Sequence, residues 1–200
     1  MLGLCLESPI ETVTAAAQMC HETGVKVLLN DSPFIPTIPA ELIEASDVLL
    51  VNEHEMAQLL GIDEPDDDNW SAFDWQHAAD RMAEYGFKEA IVTLGGDGSV
   101  VLDTAAPEGQ WIVRIAPVKV DAVGTTGCGD SFMGTVLAGW HRASACRTRQ
   151  GSRHTCRPTP PPVTVPRPSM APPRRFGRCL VDIVDSMECG LMCKHRIPWN

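Results

Sequence analysis

The sequence predicts an α/β fold, a mainly parallel sheet flanked by helices. Three observations predict it. Short apolar runs of β-favouring residues recur at 2–6, 25–29, 47–51 and 90–94. Stretches with apolar residues at helical spacing separate them, the alternation that builds parallel sheets covered on their faces. Polar and glycine-rich residues stand at or just beyond such runs, at Asn52, Thr93 and 127–130. Ligands bind beyond the carboxyl ends of the strands in these sheets.

The elements follow in order. Residues 2–6 read as a short buried strand, ended by Glu7-Ser8-Pro9. Ser8 suits a helix N-cap, Pro9 the first helical position, and Glu11 stands three residues after Ser8. Ile10, Val13, Ala17 and Cys20 form the apolar stripe, and Gly24 stops the helix. Residues 25–29 give a second strand, which Asn30-Asp31-Ser32-Pro33 breaks. A short helix is predicted over 39–45 and a third strand over 47–51. Asn52-Glu53-His54-Glu55 then opens a helix through Met56, Leu59 and Leu60 to Gly61. Residues 62–71 are polar, and Asp66, Asp67 and Asp68 read as a solvated loop without the spacing of a calcium site. A helix is predicted over 73–85 and a strand over 90–94. The turn Gly95-Gly96-Asp97-Gly98 leads to a strand at 99–102, beside which the alternating 111–115 pairs.

The chain has 200 residues, 44% of them apolar, and a net charge of −10. That charge argues against nucleic-acid binding. No apolar run has the length of a membrane helix, and the first residues lack the pattern of a signal peptide. Cys5, Cys20 and Cys128 are scattered, as suits a reduced cytoplasmic protein. The average conceals a break. Up to residue 140 there are 5 Lys and Arg against 23 Asp and Glu, and beyond it 11 against 3. Residues 141–200 also carry nine of the 16 Pro. The expected organisation is a domain over 1–140 and a disordered Pro/Arg-rich tail over 141–200. Its P-x-x-P patterns suit a Pro-rich partner ligand. Cys189, Cys193 and His195 lack the second pair that a zinc site needs. The charge reversal falls inside a helical pattern, so residues from about 141 onward read as if translated in a shifted frame.

The stretch 120–140, VDAVGTTGCGDSFMGTVLAGW, carries the most chemistry. A glycine-rich loop feeding a helix start aims backbone N–H groups at one spot, and the helix dipole adds positive charge there. Asp130 at that spot reads either as a base beside a phosphate or as an ordinary first-turn acid. Neither G-x-G-x-x-G after the first strand nor Gly-Lys-Ser/Thr is present, which excludes Rossmann and Walker A sites.

Four motifs occur in order: LESPIETV at 6–13, VNEHE at 51–55, TLGGDGS at 93–99 and TTGCGDSF at 125–132. Together they resemble the ribokinase, or pfkB-type, carbohydrate kinase family over about residues 2–140. The resemblance implies a ribokinase-like fold and ATP-dependent phosphorylation of a sugar's primary hydroxyl. Asp130 would be the catalytic base and contact the substrate. Gly127, Cys128 and Gly129 would form the anion hole. Asn52, Thr93, Leu94, Gly95, Gly96, Asp97, Gly98 and Gly129 would bind the nucleotide. Glu55 would hold Mg²⁺ through water, and Glu7 would contact the sugar, ribose or a relative. The bland alternatives are a helix cap for Asn52 and a first-turn acid for Glu7.

The sequence also departs from the family pattern. Gly124 stands where the family usually has an Asp that braces the loop and helps bind a monovalent cation. K⁺ activation then rests on the carbonyl of Thr126. Cys128 stands where the family usually has a small residue such as Ala. Family members have a substantial portion before the segment resembling 2–13, so an incomplete form of the fold is expected. Relatives often form homodimers through a lid that this segment lacks. Two readings therefore stand: a carbohydrate kinase of weak or no activity, and a non-catalytic nucleotide-binding remnant or binding module with a basic tail.

Overall fold

The computed structural model describes residues 1–107, 109–117 and 127–150, with 142–150 as backbone alone. Six strands form one sheet in sequential order: β1 (Leu2–Cys5), β2 (Val27–Asn30), β3 (Val48–Asn52), β4 (Glu89–Thr93), β5 (Ser99–Asp103) and β6 (Ile112–Ile115). β1 to β4 pair in parallel, and β5 and β6 add antiparallel. The helices are α1 (Ile10–Glu22), α2 (Ala40–Ala45), α3 (Glu53–Leu60), α4 (Trp75–Tyr85) and α5 (Cys128–Gln150). The predicted α/β class is observed, with the mainly parallel sheet.

The layers follow from the order of the strands. Each parallel strand lies beside the one before it, and crossovers share one hand, so α1 to α4 fall on the same face. Strand residues alternate between the two faces. Leu29, Leu49, Val51, Ala90, Val92, Val100 and Leu102 pack with α1 to α4. Leu28, Val48, Leu50, Ile91 and Val101 pack on the other face with Val136 and Trp140 of α5. Leu28, Leu29 and Leu49 have no exposed surface. Each such side chain contributes about 1.5–3 kcal/mol of transfer free energy.

Helix starts differ from the sequence reading at α1 and α4, and α2 begins at Ala40 with Pro39 as its N-cap rather than at residue 39. Ser8 does not cap α1: Pro9 is itself the N-cap, with φ −52° and ψ 133°, and no side chain caps the helix. Ser8 is thereby pushed one position outside, beyond reach of the N-terminal N–H groups. α4 begins at Trp75, two residues later than predicted, because Asp74 accepts the N–H of His77 and caps it there. Phe73 still packs against the core, which is why it extended the apolar pattern. β6 likewise begins at Ile112 rather than at residue 111.

α5 runs through position 141, where the charge reverses, to Gln150. Residues 118–126 and 151–200 lie outside the described residues, and with them Gly124, Thr126, the Pro-rich segment and Cys189, Cys193 and His195. Among the described residues, no helix is long and apolar enough to cross a membrane.

Candidate active site

The carboxyl ends of β2, β3 and β4 bring Asn30, Asn52 and Thr93 to one edge of the sheet, with Asn52 and Thr93 in direct register. The N-terminus of α5 reaches the same place. Together they enclose a cavity of about 290 Å³, lined by Asn30, Ser32, Asn52, Glu55, Thr93, Gly127, Gly129 and Asp130, with Leu50 and Val51 behind them.

Local chemistry fixes each side. Asn52 is the N-cap of α3: its side chain accepts the Glu55 N–H at 2.7 Å, and Glu55 Oε2 accepts the Asn52 N–H at 2.8 Å. This reciprocal cap satisfies two N–H groups that a helix start would otherwise leave bare. Each side chain spends one atom on the cap. Asn52 Nδ2 and Glu55 Oε1 remain as the groups a ligand can use. On the opposite side, Gly127 has φ +76°, a conformation glycine adopts without penalty. Its carbonyl accepts the Ser131 N–H at 3.0 Å, the first bond of α5. The N–H groups of Cys128 and Gly129 lie within that first turn, where no intrahelical acceptor exists.

The predicted residues divide clearly. Asn52, Glu55, Thr93, Gly127, Gly129 and Asp130 share the cavity. Cys128 is exposed at the start of α5 and does not line it. Leu94, Gly95, Gly96, Asp97 and Gly98 adjoin Thr93 outside the lining, with a 3-10 turn over Gly95–Asp97. Gly98 is held tightly: a Cβ there would stand 2.1 Å from the Ile115 carbonyl oxygen. Glu7 is exposed and also outside the lining. It follows Leu6, whose N–H donates to the Ser32 carbonyl at 2.8 Å.

Sequence reading missed the corner after β2. Asn30 and Ser32 line the cavity, although Asn30-Asp31-Ser32-Pro33 read only as a chain break. Asp31 is fully buried, and that burial pushes its carboxyl up to about 6, opposed by the Ile35 N–H and aided by the Glu55 charge. Cys5 is in register with Asn30, whose Nδ2 lies 4.0 Å from its sulfur. Burial raises the Cys5 thiol, and the charges of Asp130 and Glu7 add to the rise. Glu7 follows β1 by two residues, and Met133 and Leu137 of α5 lie against Gly3 of β1.

The donor set suits a hard cation held indirectly. The polar side chains of the cavity offer oxygen and amide groups, with carboxylates at Glu55 and Asp130. Among the described residues, no three His, Cys, Asp or Glu converge as a metal cage. Mg²⁺, which dehydrates reluctantly and needs few protein ligands, would suit that donor set.

The sheet topology, with polar groups at its carboxyl ends facing a helix N-terminus across a cavity, defines an α/β protein with a candidate site for a small molecule. The sequence matches the pfkB family carbohydrate kinase pattern over residues 1–152, and the chain belongs to that family. It is 36% identical over 137 residues to the ribokinase of Schizosaccharomyces pombe, covering 67% of this chain and 40% of that protein. It is 35% identical over 133 residues to the bifunctional ribokinase/ribose-5-phosphate isomerase A of Fructilactobacillus sanfranciscensis, covering 66% of this chain and 23% of that one. The chain thus spans less than half the length of these relatives. Among solved structures, Arabidopsis thaliana ribokinase complexed with ribose and ATP superposes with a TM-score of 0.58 at 26% identity, covering 69% of this chain and 42% of that one. Aminoimidazole riboside kinase from Salmonella enterica shares the fold, with a TM-score of 0.59 at 19% identity over 93% of this chain and 52% of that one.

Proposed function

We propose that the chain is an ATP-dependent carbohydrate kinase that phosphorylates the primary hydroxyl of a sugar. The observation that carries this reading is the convergence of Asn52, Glu55 and Thr93 with the N-terminus of α5 and Asp130 around one cavity. Ribose is the proposed acceptor, supported by the likeness to the S. pombe and A. thaliana ribokinases.

Each residue has a physical task. Asp130 takes the proton of the sugar hydroxyl as its oxygen attacks the γ-phosphorus. The bond from that phosphorus to the β–γ bridging oxygen breaks, and ADP leaves with the electron pair. The backbone N–H groups of Gly127, Cys128 and Gly129 stabilise the charge on the moving phosphoryl group, with the dipole of α5 behind them. Asn52 Nδ2 orients the phosphates. Glu55 would hold Mg²⁺, and that ion would supply charge neutralisation at the phosphates. Thr93 and the turn from Leu94 through Gly95, Gly96 and Asp97 to Gly98 flank the nucleotide, and Glu7 contacts the sugar. The protein's contribution is position and electrostatics, which supply most of phosphoryl-transfer catalysis.

Slow turnover is proposed, with a nucleotide-binding module without catalysis as the alternative reading. An ADP-release assay with ribose, with fructose and without sugar separates the two, with Asp130→Ala as control. Sugar-dependent ADP release abolished by Asp130→Ala supports the kinase. A folded chain that releases no ADP and binds no ATP refutes it.

A further inference from the structure

Asp31 is a buried acid that the proposed mechanism does not use. It stands at the exit of β2 with no exposed surface. Its Oδ1 accepts the Ile35 N–H at 3.2 Å, closing the turn over 31–35. Its Oδ2 is buried without a hydrogen-bond partner. An unpaired buried carboxyl oxygen costs stability, and an apolar residue would fill the site without that cost. Core packing alone therefore does not account for an acid here.

Its surroundings point to the cavity. Asn30 and Ser32, on either side of it in sequence, both line the cavity, whereas Asp31 does not. The Asp31 N–H donates to the Leu50 carbonyl at 3.2 Å, and the Ser32 carbonyl accepts the Leu6 N–H. The turn thus joins the ends of β1, β2 and β3 at the site. Phe34 and Ile35 carry it onto the core, and the Ile38 N–H is held by the Tyr85 hydroxyl at 3.1 Å.

We propose that Asp31 is a positioning residue for the phosphate end of the cavity, its carboxyl clamping the 31–35 turn so that Asn30 and Ser32 hold their places in the wall they share with Glu55. The inference rests on the kinase reading of that cavity. Asp31 acts through its two neighbours and touches no substrate. Removing the acceptor at Oδ1 strands the Ile35 N–H and releases the turn, while the rest of the fold is left intact.

Two substitutions separate positioning from packing. Asp31→Leu keeps the number and branching of the side-chain heavy atoms, in a larger volume, but removes the acceptor. Asp31→Asn keeps the acceptor. MgATP affinity is measured by calorimetry on the full chain, with thermal melting of each variant. The expected result is an affinity loss of about tenfold in Asp31→Leu, the worth of one well-placed hydrogen bond, without a lower melting temperature. Asp31→Asn is expected to bind within about threefold of the wild type. Wild-type affinity in Asp31→Leu overturns the proposal and leaves the kinase reading standing. So does an equal loss in Asp31→Asn, which would make the charge rather than the clamp responsible. A folded wild-type chain that binds no MgATP overturns both.

Discussion

Asn52 and Glu55 hold each other through two reciprocal hydrogen bonds of 2.7 and 2.8 Å, each from one residue's backbone N–H to the other's side chain, while both line the cavity at the end of β3. The helix cap and the cavity wall are therefore one object. The cap fixes both side chains before any ligand arrives, which lowers the ordering cost of binding.

That coupling can be dissected. Asn52→Ser retains a good N-cap but removes the amide NH₂. Its expected outcome is a stability within about 0.5 kcal/mol of the wild type and a markedly weaker affinity for MgATP. Asn52→Ala also removes the cap and is expected to cost about 1 kcal/mol in denaturant unfolding. Equal nucleotide affinity in Asn52→Ser and the wild type would leave Asn52 as a cap alone.

Glu89 governs a pH dependence at the other end of the sheet. It is buried, directly across from Asp103 in the β4–β5 register, and its Oε2 has no partner. Desolvation pushes its carboxyl up to about 7. The Asp103 charge adds to the rise, Lys26 opposes it and Asp47 adds again. Lys26 is itself ion-paired with Asp47. The folded state thus binds a proton that the unfolded state releases near 4.5. This contribution to stability is complete below that value and is lost as pH rises towards and through 7, a change of roughly 3 kcal/mol. Asp31, raised to about 6 by its own burial, adds a loss of the same sign. Glu89→Gln is expected to melt with a smaller decline between pH 5 and 8 and to be more stable than the wild type at pH 8. An unchanged decline would contradict the assignment to Glu89.

Gly98 is required by shape. Its φ is +90°, and an added Cβ would meet the Ile115 carbonyl oxygen at 2.1 Å. Gly98→Ala is expected to lose at least about 1–3 kcal/mol from backbone strain alone. Gly96 has open space around it and no positive φ. Gly96→Ala is expected to change stability by no more than about 0.5 kcal/mol. Denaturant unfolding of the two variants side by side checks both values.

What the sequence made legible was chemistry of short range. The Asn-x-x-Glu spacing encodes a reciprocal cap within four residues. The β-rich runs of β2, β3 and β4 needed only local apolar character to be found. The glycines before Asp130 marked a helix start because the chain must turn there. The corner at Asn30, Asp31 and Ser32 was not legible. Its residues are ordinary turn formers, and only the pairing of β1, β2 and β3 turns them toward a cavity. The unpartnered Oδ2 of Asp31 is likewise set by tertiary packing and leaves no local pattern. Ser8 failed as a cap for a related reason: Pro9 took the N-cap position, a shift of one residue that composition cannot resolve.

Asp130 is the proposed base for a phosphoryl transfer made in this cavity. The most direct measurement follows label from the γ-phosphate of ATP onto ribose, in the wild type and in Asp130→Asn, with MgATP affinity determined for both. The expected result is labelled sugar phosphate from the wild type, at least about 100-fold less from Asp130→Asn, and MgATP affinities within about threefold of each other. Transfer by Asp130→Asn at the wild-type rate, or a folded wild-type chain that neither binds MgATP nor labels the sugar, would contradict it.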